Sequence, residues 1–273
     1  MKLIIKQILA NSLHPDTRNY LQRVSLVGGS VAPVKVKALD SAIKNLYANN
    51  LRGSANYLKY WLCLNLTESF TGCLVAVYDD GVGNATNYNF VSGDWTSQGL
   101  KGNGSNKYLN SGWNPATSLG TFSNAGRYDV HMSAWVTDHG ANASIEYGGV
   151  MGGGNNGDDF IEMYAYFDSF FEGQILLGDS AYIATTPQAT GFHLLNRLTG
   201  GAGRLVVNGY ATTDAGLASP IANPNYTIPF FAMNEPVGTI PLYGAARVSN
   251  FTMGAGLTTT QEVALYNILQ SLN

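Results

Sequence analysis

The acidic residues are the first whose types and spacing could do chemistry. The segment Asp158-Asp159-Phe160-Ile161-Glu162-Met163-Tyr164-Ala165-Tyr166-Phe167-Asp168 reads as a strand, and pleat alternation would put Glu162, Tyr164, Tyr166 and Asp168 on one face. Retaining sugar-cleaving enzymes need two carboxyls about 5–5.5 Å apart. Glu162 and Asp168 would be roughly 20 Å apart along a strand, and no closer Glu-x-Asp pairing accompanies them. The residues therefore predict a chain that is not an enzyme, with these carboxylates on a solvated face. Hard-cation binding is the second chemistry. The loops Asp79-Asp80-Gly81-Val82-Gly83-Asn84 and Asn155-Asn156-Gly157-Asp158-Asp159 make Asp79, Asp80, Asn84, Asp158 and Asp159 candidate calcium ligands. Neither loop has EF-hand spacing, and turn chemistry alone also places Asp, Asn and Gly there. Sugar stacking is the third. Trp95, Trp113, Tyr108 and Tyr88 lie in or near polar stretches such as Ser92-Gly93-Asp94-Trp95-Thr96. Aromatic rings can cover the apolar face of a sugar while Asp and Asn bond its hydroxyls. Trp95, Trp113 and Tyr108, with Asp94, are the candidate ligand-binding residues. The competing reading is that these rings fill the core.

The other reactive residues form no motif. His131 falls within a predicted strand and His139 just beyond it, while His14 and His193 stand alone. No nucleophile elbow, HExxH sequence or P-loop accompanies them. Cys63 and Cys73 are too few for a disulfide framework and read as buried thiols. No cofactor other than calcium is indicated.

Composition narrows the class. Of 273 residues 45% are hydrophobic, enough for a sizeable core and too many for a disordered chain. Only 12% are charged, about half the usual share, and Gly (32) and Tyr (16) are abundant, a composition that suits β-rich proteins with neutral polar surfaces. The net charge of −3 does not point to nucleic acid. The charge is unevenly placed. Residues 1–60 hold Lys2, Lys6, Arg18, Arg23, Lys35, Lys37, Lys44, Arg52 and Lys59 against Asp16 and Asp40, whereas the remainder is strongly acidic. That asymmetry predicts two regions with different jobs, the basic one suited to an acidic partner surface or simply to solvated helix faces. Lys6 splits the first apolar run and Asn11 ends it, so no signal peptide is read there. No stretch approaches the ~20 apolar residues of a membrane span, and membrane insertion is not expected.

The elements follow from periodicity. Pro15 at a first helical position, then Tyr20, Leu21, Val24 and Val27 up to Gly28-Gly29, predict one helix. Val36, Leu39, Ile43, Leu46 and Tyr47 predict a second. From Trp61 onward short runs rich in Val, Tyr, Phe and Leu alternate with Gly/Asn/Asp/Ser clusters: 63–66, 73–78, 128–136, 145–151, 160–167 and 204–207. Asn208-Gly209 after Leu205-Val206-Val207 predicts a type I′ hairpin. Thr259-x-x-Glu262 reads as a capping box before a last helix with Leu265, Ile268, Leu269 and Leu272 on one face. The reading is all-β: a two-sheet sandwich over residues 59–273, ending in a helix, behind a helical segment 1–58 whose removal should leave the sandwich folded.

Several motifs are similar to those of a known family. Arg204-Leu205-Val206-Val207-Asn208-Gly209 resembles the late hairpin of laminin-G-like sandwiches, and the stretch Gly99 to Leu109, with Tyr108-Leu109, resembles their early strand. The closing strand before Gly256-Leu257-Thr258 and the run to Gln270 resemble phage-encoded members, as does the opening His14–Val27 followed by Gly28-Gly29-Ser30-Val31. The resemblance is thus to the concanavalin A-like lectin/glucanase domain of bacteriophage virion proteins, over about His14 to Asn273. It implies a concanavalin A-like jelly-roll sandwich and a structural or host-adhesion role on the particle exterior, as spike, tail fibre or capsid decoration. The basic N-terminal segment would contact other virion proteins, the sandwich could bind a host-surface glycan, and a homo-oligomer, a trimer by preference, would form. A glycan depolymerase on the same fold, or a purely architectural subunit, are the alternatives. Fold-level likeness is an associational warrant for any of these.

Overall fold

In the computed structural model residues 12–54, 56–119, 130–140, 147–153, 161–167, 170–175, 184–187, 190–198, 203–215, 226–233 and 242–273 are described. Short extended segments dominate them. In chain order the strands are β1 (Leu58–Cys63), β2 (Tyr78–Asp79), β3 (Thr86–Tyr88), β4 (Trp95–Thr96), β5 (Gly99–Lys101), β6 (Tyr108–Asn110), β7 (Val130–Asp138), β8 (Tyr147–Gly153) and β9 (Ile161–Phe167). The second half adds β10 (Phe170–Ile175), β11 (Ala184–Pro187), β12 (Gly191–Arg197), β13 (Gly203–Val207), β14 (Tyr210–Ala215), β15 (Pro229–Phe230), β16 (Ala232–Met233), β17 (Leu242–Tyr243) and β18 (Arg247–Gly254).

They pair into two antiparallel sheets. Sheet I runs β14-β13-β12-β7-β18-β1-β2, with the β4–β5 hairpin joined to β18. Sheet II runs β11-β10-β9-β8-β15-β6-β3, and β16 and β17 form a small ribbon. Period-2 alternation decides what each face buries. Along β7, Val130, Met132, Ala134 and Val136 enter the core between the sheets, and Trp135 turns to the opposite face. Along β1, Tyr60 and Leu62 point between the sheets while Trp61 and Cys63 point away; a bulge between Leu58 and Tyr60 sets that phase. From sheet II come Leu109, Met151, Ile161, Met163 and Phe230. The Phe230 and Phe251 rings stack at 4.2 Å and 7°, tying one sheet to the other.

The outward face of sheet I is covered by helices. These are α1 (Pro15–Leu26), α2 (Pro33–Ala48) and α3 (Thr259–Gln270). Tyr20 and Val24 of α1, Leu39, Ile43 and Leu46 of α2, and Leu265, Ile268 and Leu269 of α3 bury against Trp61, Phe192, Leu194 and Val206. The molecule is therefore layered as helices, sheet I, sheet II. Asp40 of α2 locks α1 in place: its Oδ1 accepts the His14 N–H at 2.6 Å and the Thr17 hydroxyl at 2.8 Å, and Lys44 lies 2.6 Å from its Oδ2. α1 and α2, which the sequence reading places in the segment 1–58, share one apolar core with sheet I.

Most helical and hairpin signals land where the sequence puts them. Pro15 opens α1, and Gly28 at φ +75° ends its last turn. Asn208 and Gly209 both have positive φ between β13 and β14, as a type I′ turn demands. Two details differ. The cap of α3 is Thr258, one residue earlier than read, with Gln261 as its reciprocal partner. Glu262 is thereby released to the interior, where it accepts from Asn196 Nδ2 at 2.6 Å and pairs with Arg204 at 3.0 Å. The apolar run 73–78 is not one strand: Phe70–Cys73 is a helical turn capped by Ser69, and extended structure resumes only at Tyr78. Cys63 and Cys73 are free and buried, and burial pushes the Cys63 thiol up to about 12. Among the described residues no helix is long and apolar enough to cross a membrane.

Candidate functional site

Strands β3 and β6 form the end of sheet II and pair antiparallel, with Tyr88 directly opposite Tyr108. Leu109 points into the core, so Tyr108 and its partner Tyr88 face outward. Their rings are parallel within 3°, with centroids 4.3 Å apart. Tyr243 from β17 lies beside Tyr108, at 6.3 Å and 50°. Tyr88 is the most open of the three, at 39% exposure, while Tyr108 and Tyr243 are half-buried. Burial, with the neighbouring Tyr88 and Tyr243 phenols, pushes the Tyr108 hydroxyl above the ordinary phenol range. It stays protonated at neutral pH and can both donate and accept.

The loops flanking the tyrosines are stiffened by amide side chains. Asn103 Oδ1 accepts three consecutive backbone N–H groups, from Ser105, Asn106 and Lys107, each at 3.1 Å. Asn89, at φ +67°, donates from Nδ2 to the Asn106 carbonyl at 2.8 Å, clamping the end of β3 to the start of β6. Asp94 is held by Lys107 through both oxygens, at 2.6 and 2.7 Å, and accepts the Val91 N–H. A rigid aromatic surface set among Asn side chains can stack on the apolar face of a pyranose and bond its hydroxyls with little ordering cost.

The sequence candidates separate on this geometry. Tyr108 lies in the aromatic cluster. Asp94 supports the neighbouring loop through its ion pair. Trp95 is half-buried against the inter-sheet core, its indole N–H donating to the Leu64 carbonyl at 2.7 Å. Trp113 is a correction: it has no exposed surface and is a core residue, so it offers no stacking face. Tyr243, which the sequence reading missed, reaches Tyr108 only through the strand pairings. Asp79 and Asp80 are ion-paired instead of gathered as ligands. Asp79 Oδ2 lies 3.1 Å from Arg23 and its Oδ1 accepts the Gly81 N–H; Asp80 lies 3.7 Å from Lys59; Asn84 is exposed. Among the described residues no group of three or more His, Cys, Asp or Glu is placed to hold a metal ion. Asp158, Asp159 and Asp168 lie outside the described residues. Glu162, expected on a solvated face, is fully buried, with the Tyr164 hydroxyl donating to its Oε2 at 2.6 Å.

No protein-family model matches the chain, and no curated protein matches it. Solved structures do. A Trypanosoma rangeli sialidase determined in complex with sialic acid superposes on 87% of this chain and 40% of its own, at 12% identity and a TM-score of 0.52. The receptor-binding domain of the botulinum neurotoxin C/D mosaic serotype matches 78% of this chain and 51% of its own, at 11% identity and a TM-score of 0.53. The chain thus spans about half or less of either. At these identities the likeness is one of fold: a two-sheet antiparallel β-sandwich.

Proposed function

We propose that this chain is a non-catalytic carbohydrate-binding sandwich that adheres to a glycosylated surface. The observation that carries the reading is the open Tyr88 ring on the stacked Tyr88–Tyr108 pair, set on a sheet edge that Asn89 and Asn103 hold rigid. The fold neighbours add support of a general kind, since one was determined with sialic acid and another is a receptor-binding domain. Binding without cleavage is favoured by Glu162, the strand carboxylate nearest to an enzymatic role, which lies enclosed in protein against Tyr164. The sequence resemblance supports placing the protein on the exterior of a phage particle, as a spike, fibre or decoration that oligomerises and meets host glycans.

A broad glycan array probed with the purified chain tests the adhesion reading. Saturable binding that free sugar competes away supports it. An array without any saturable signal, from protein whose circular dichroism shows an intact β-sandwich, refutes it.

A further inference from the structure

A second concavity is lined by residues other than Tyr88, Tyr108 and Tyr243, on the side of sheet I that carries α1. It is bounded by one face of α1, by β2 with its following turn, and by the loop around Arg52 and Asn56, and it has a volume of about 480 Å³. That size is within the range of small-molecule sites. Asp16, Asn19 and Arg23 reach it together because residues three and four apart share a helix face.

Its charged walls are fixed before any ligand arrives. Asp16 Oδ2 accepts the hydroxyls of Tyr47 and Tyr78, at 2.8 and 2.9 Å. The Arg52 guanidinium lies 4.0 Å over the Tyr78 ring and donates to the Leu58 carbonyl at 2.8 Å. Arg23 bridges Asp79 and the Val77 carbonyl. Groups with unused capacity remain among these held ones. Arg52 lines the cavity with its guanidinium, whose Nε has no hydrogen-bond partner and is closed to solvent until the side chain shifts. Asn56 uses its Oδ1 on the Gly53 N–H, which leaves its amide N–H₂ available. The Asn19 amide adds a donor and an acceptor on the exposed side.

The charge balance selects the ligand class. Three carboxylates, Asp16, Asp79 and Asp80, disfavour an anion, and the guanidinium groups of Arg23 and Arg52 disfavour a cation. Interleaved donors and acceptors match groups that do both, which are hydroxyls. We infer that this cavity binds a neutral polyhydroxylated ligand, a monosaccharide or the terminal residue of an oligosaccharide. It is independent of the tyrosine face, and either could hold while the other fails.

Saturation-transfer NMR on the full chain tests it, with glucose, galactose, mannose and N-acetylglucosamine as free probes and lactose and maltotriose as oligosaccharide probes. The variants are Asn19→Trp, which places a bulky ring at an exposed helix position on the rim, and Arg52→Lys, which removes Nε and keeps the charge. All measurements use a Tyr88→Ala background, so that sugar at the tyrosine face does not contribute; the expected result is saturation transfer from at least one probe, weakened roughly tenfold or more by both changes. A response to free monosaccharides identifies a small-molecule site, and one confined to the oligosaccharides identifies a chain-end site. Circular dichroism of both variants separates lost binding from lost folding. In that background, transfer that survives Asn19→Trp and Arg52→Lys overturns the inference, as does a lack of transfer from every probe.

Discussion

His131 gives the structure an acid sensitivity whose size can be worked out. It lies on β7, fully buried, with Nδ1 2.6 Å from the Ala255 carbonyl. A carbonyl only accepts, so the neutral ring carries its proton on Nδ1. Nε2 is buried and has no hydrogen-bond partner. A second proton would create a charge and a donor with neither water nor an acceptor to receive it. Burial accordingly pulls the group from 6.5 down to about 4, against a smaller opposing effect of the Ala255 hydrogen bond. The unfolded chain binds a proton near pH 6.5 and the folded one does not, so stability is complete above that pH and falls as pH drops toward 4. At about pH 5 the loss is about 1.5 units, or roughly 2 kcal/mol. His193, buried and pulled to about 3 by burial and by the nearby His139, loses a similar amount over the same window. Together they remove about 4 kcal/mol from a domain of ordinary stability, about 5–15 kcal/mol. Two carboxyls do not confuse the window. Asp138 is held low by Lys101, and in Asp40 burial is outweighed by Lys44, the His14 N–H and Thr17, so both act at lower pH. Urea unfolding at pH 7.5 and pH 5, on wild type and His131→Gln, measures the effect. The variant should lose about half of the pH dependence. An unchanged pH dependence, or a His131 resonance titrating near 6.5, would refute the reasoning.

Three further outcomes concern the packing. Gly209→Ala should destabilise by about 1–3 kcal/mol in urea titrations, because φ is +84° and a Cβ would come within 2.8 Å of the Tyr266 ring. Trp113→Ala should cost about 3–5 kcal/mol of stability, read from the same titrations, while glycan binding measured at a temperature where it is folded stays unchanged. Deleting residues 1–57 should yield an aggregated or dye-binding chain instead of a soluble sandwich. It bares Trp61, Phe192 and Leu194 and removes Tyr20, Val24, Leu39, Ile43 and Leu46, together of order 10 kcal/mol of apolar burial. A monomeric truncated chain with a native β spectrum would contradict that layer's role.

The legible parts of the fold were those with a local cause. Asn208-Gly209 needs no distant partner to turn, and the Leu39–Leu46 stripe shows its face by spacing alone. The run at 73–78 is too short to carry a period, and Ser69 caps a helical turn that takes up its beginning. Thr258 and Thr259 are both competent caps; burial of Glu262 beside Arg204 chose between them. For the site, sequence could flag Tyr88 and Tyr108 as aromatics near polar residues but could not distinguish them from Trp113. That distinction is one of depth, and depth is set by which strands pair. Tyr243 joins Tyr108 from far along the chain. Asp16 and Arg23 read as part of an ordinary solvated helix face, and only the seating of α1 against β2 makes them a wall, with Asn19.

The central claim is that the tyrosine face binds sugar. Titration of the chain with its best array glycan, by calorimetry, tests this most directly when repeated on Tyr88→Ala and Tyr88→Phe. Loss of an open stacking ring should weaken binding roughly tenfold, about 1.4 kcal/mol, in Tyr88→Ala, while Tyr88→Phe retains most of it. Equal affinity in wild type and Tyr88→Ala, with both proteins folded, would contradict the account.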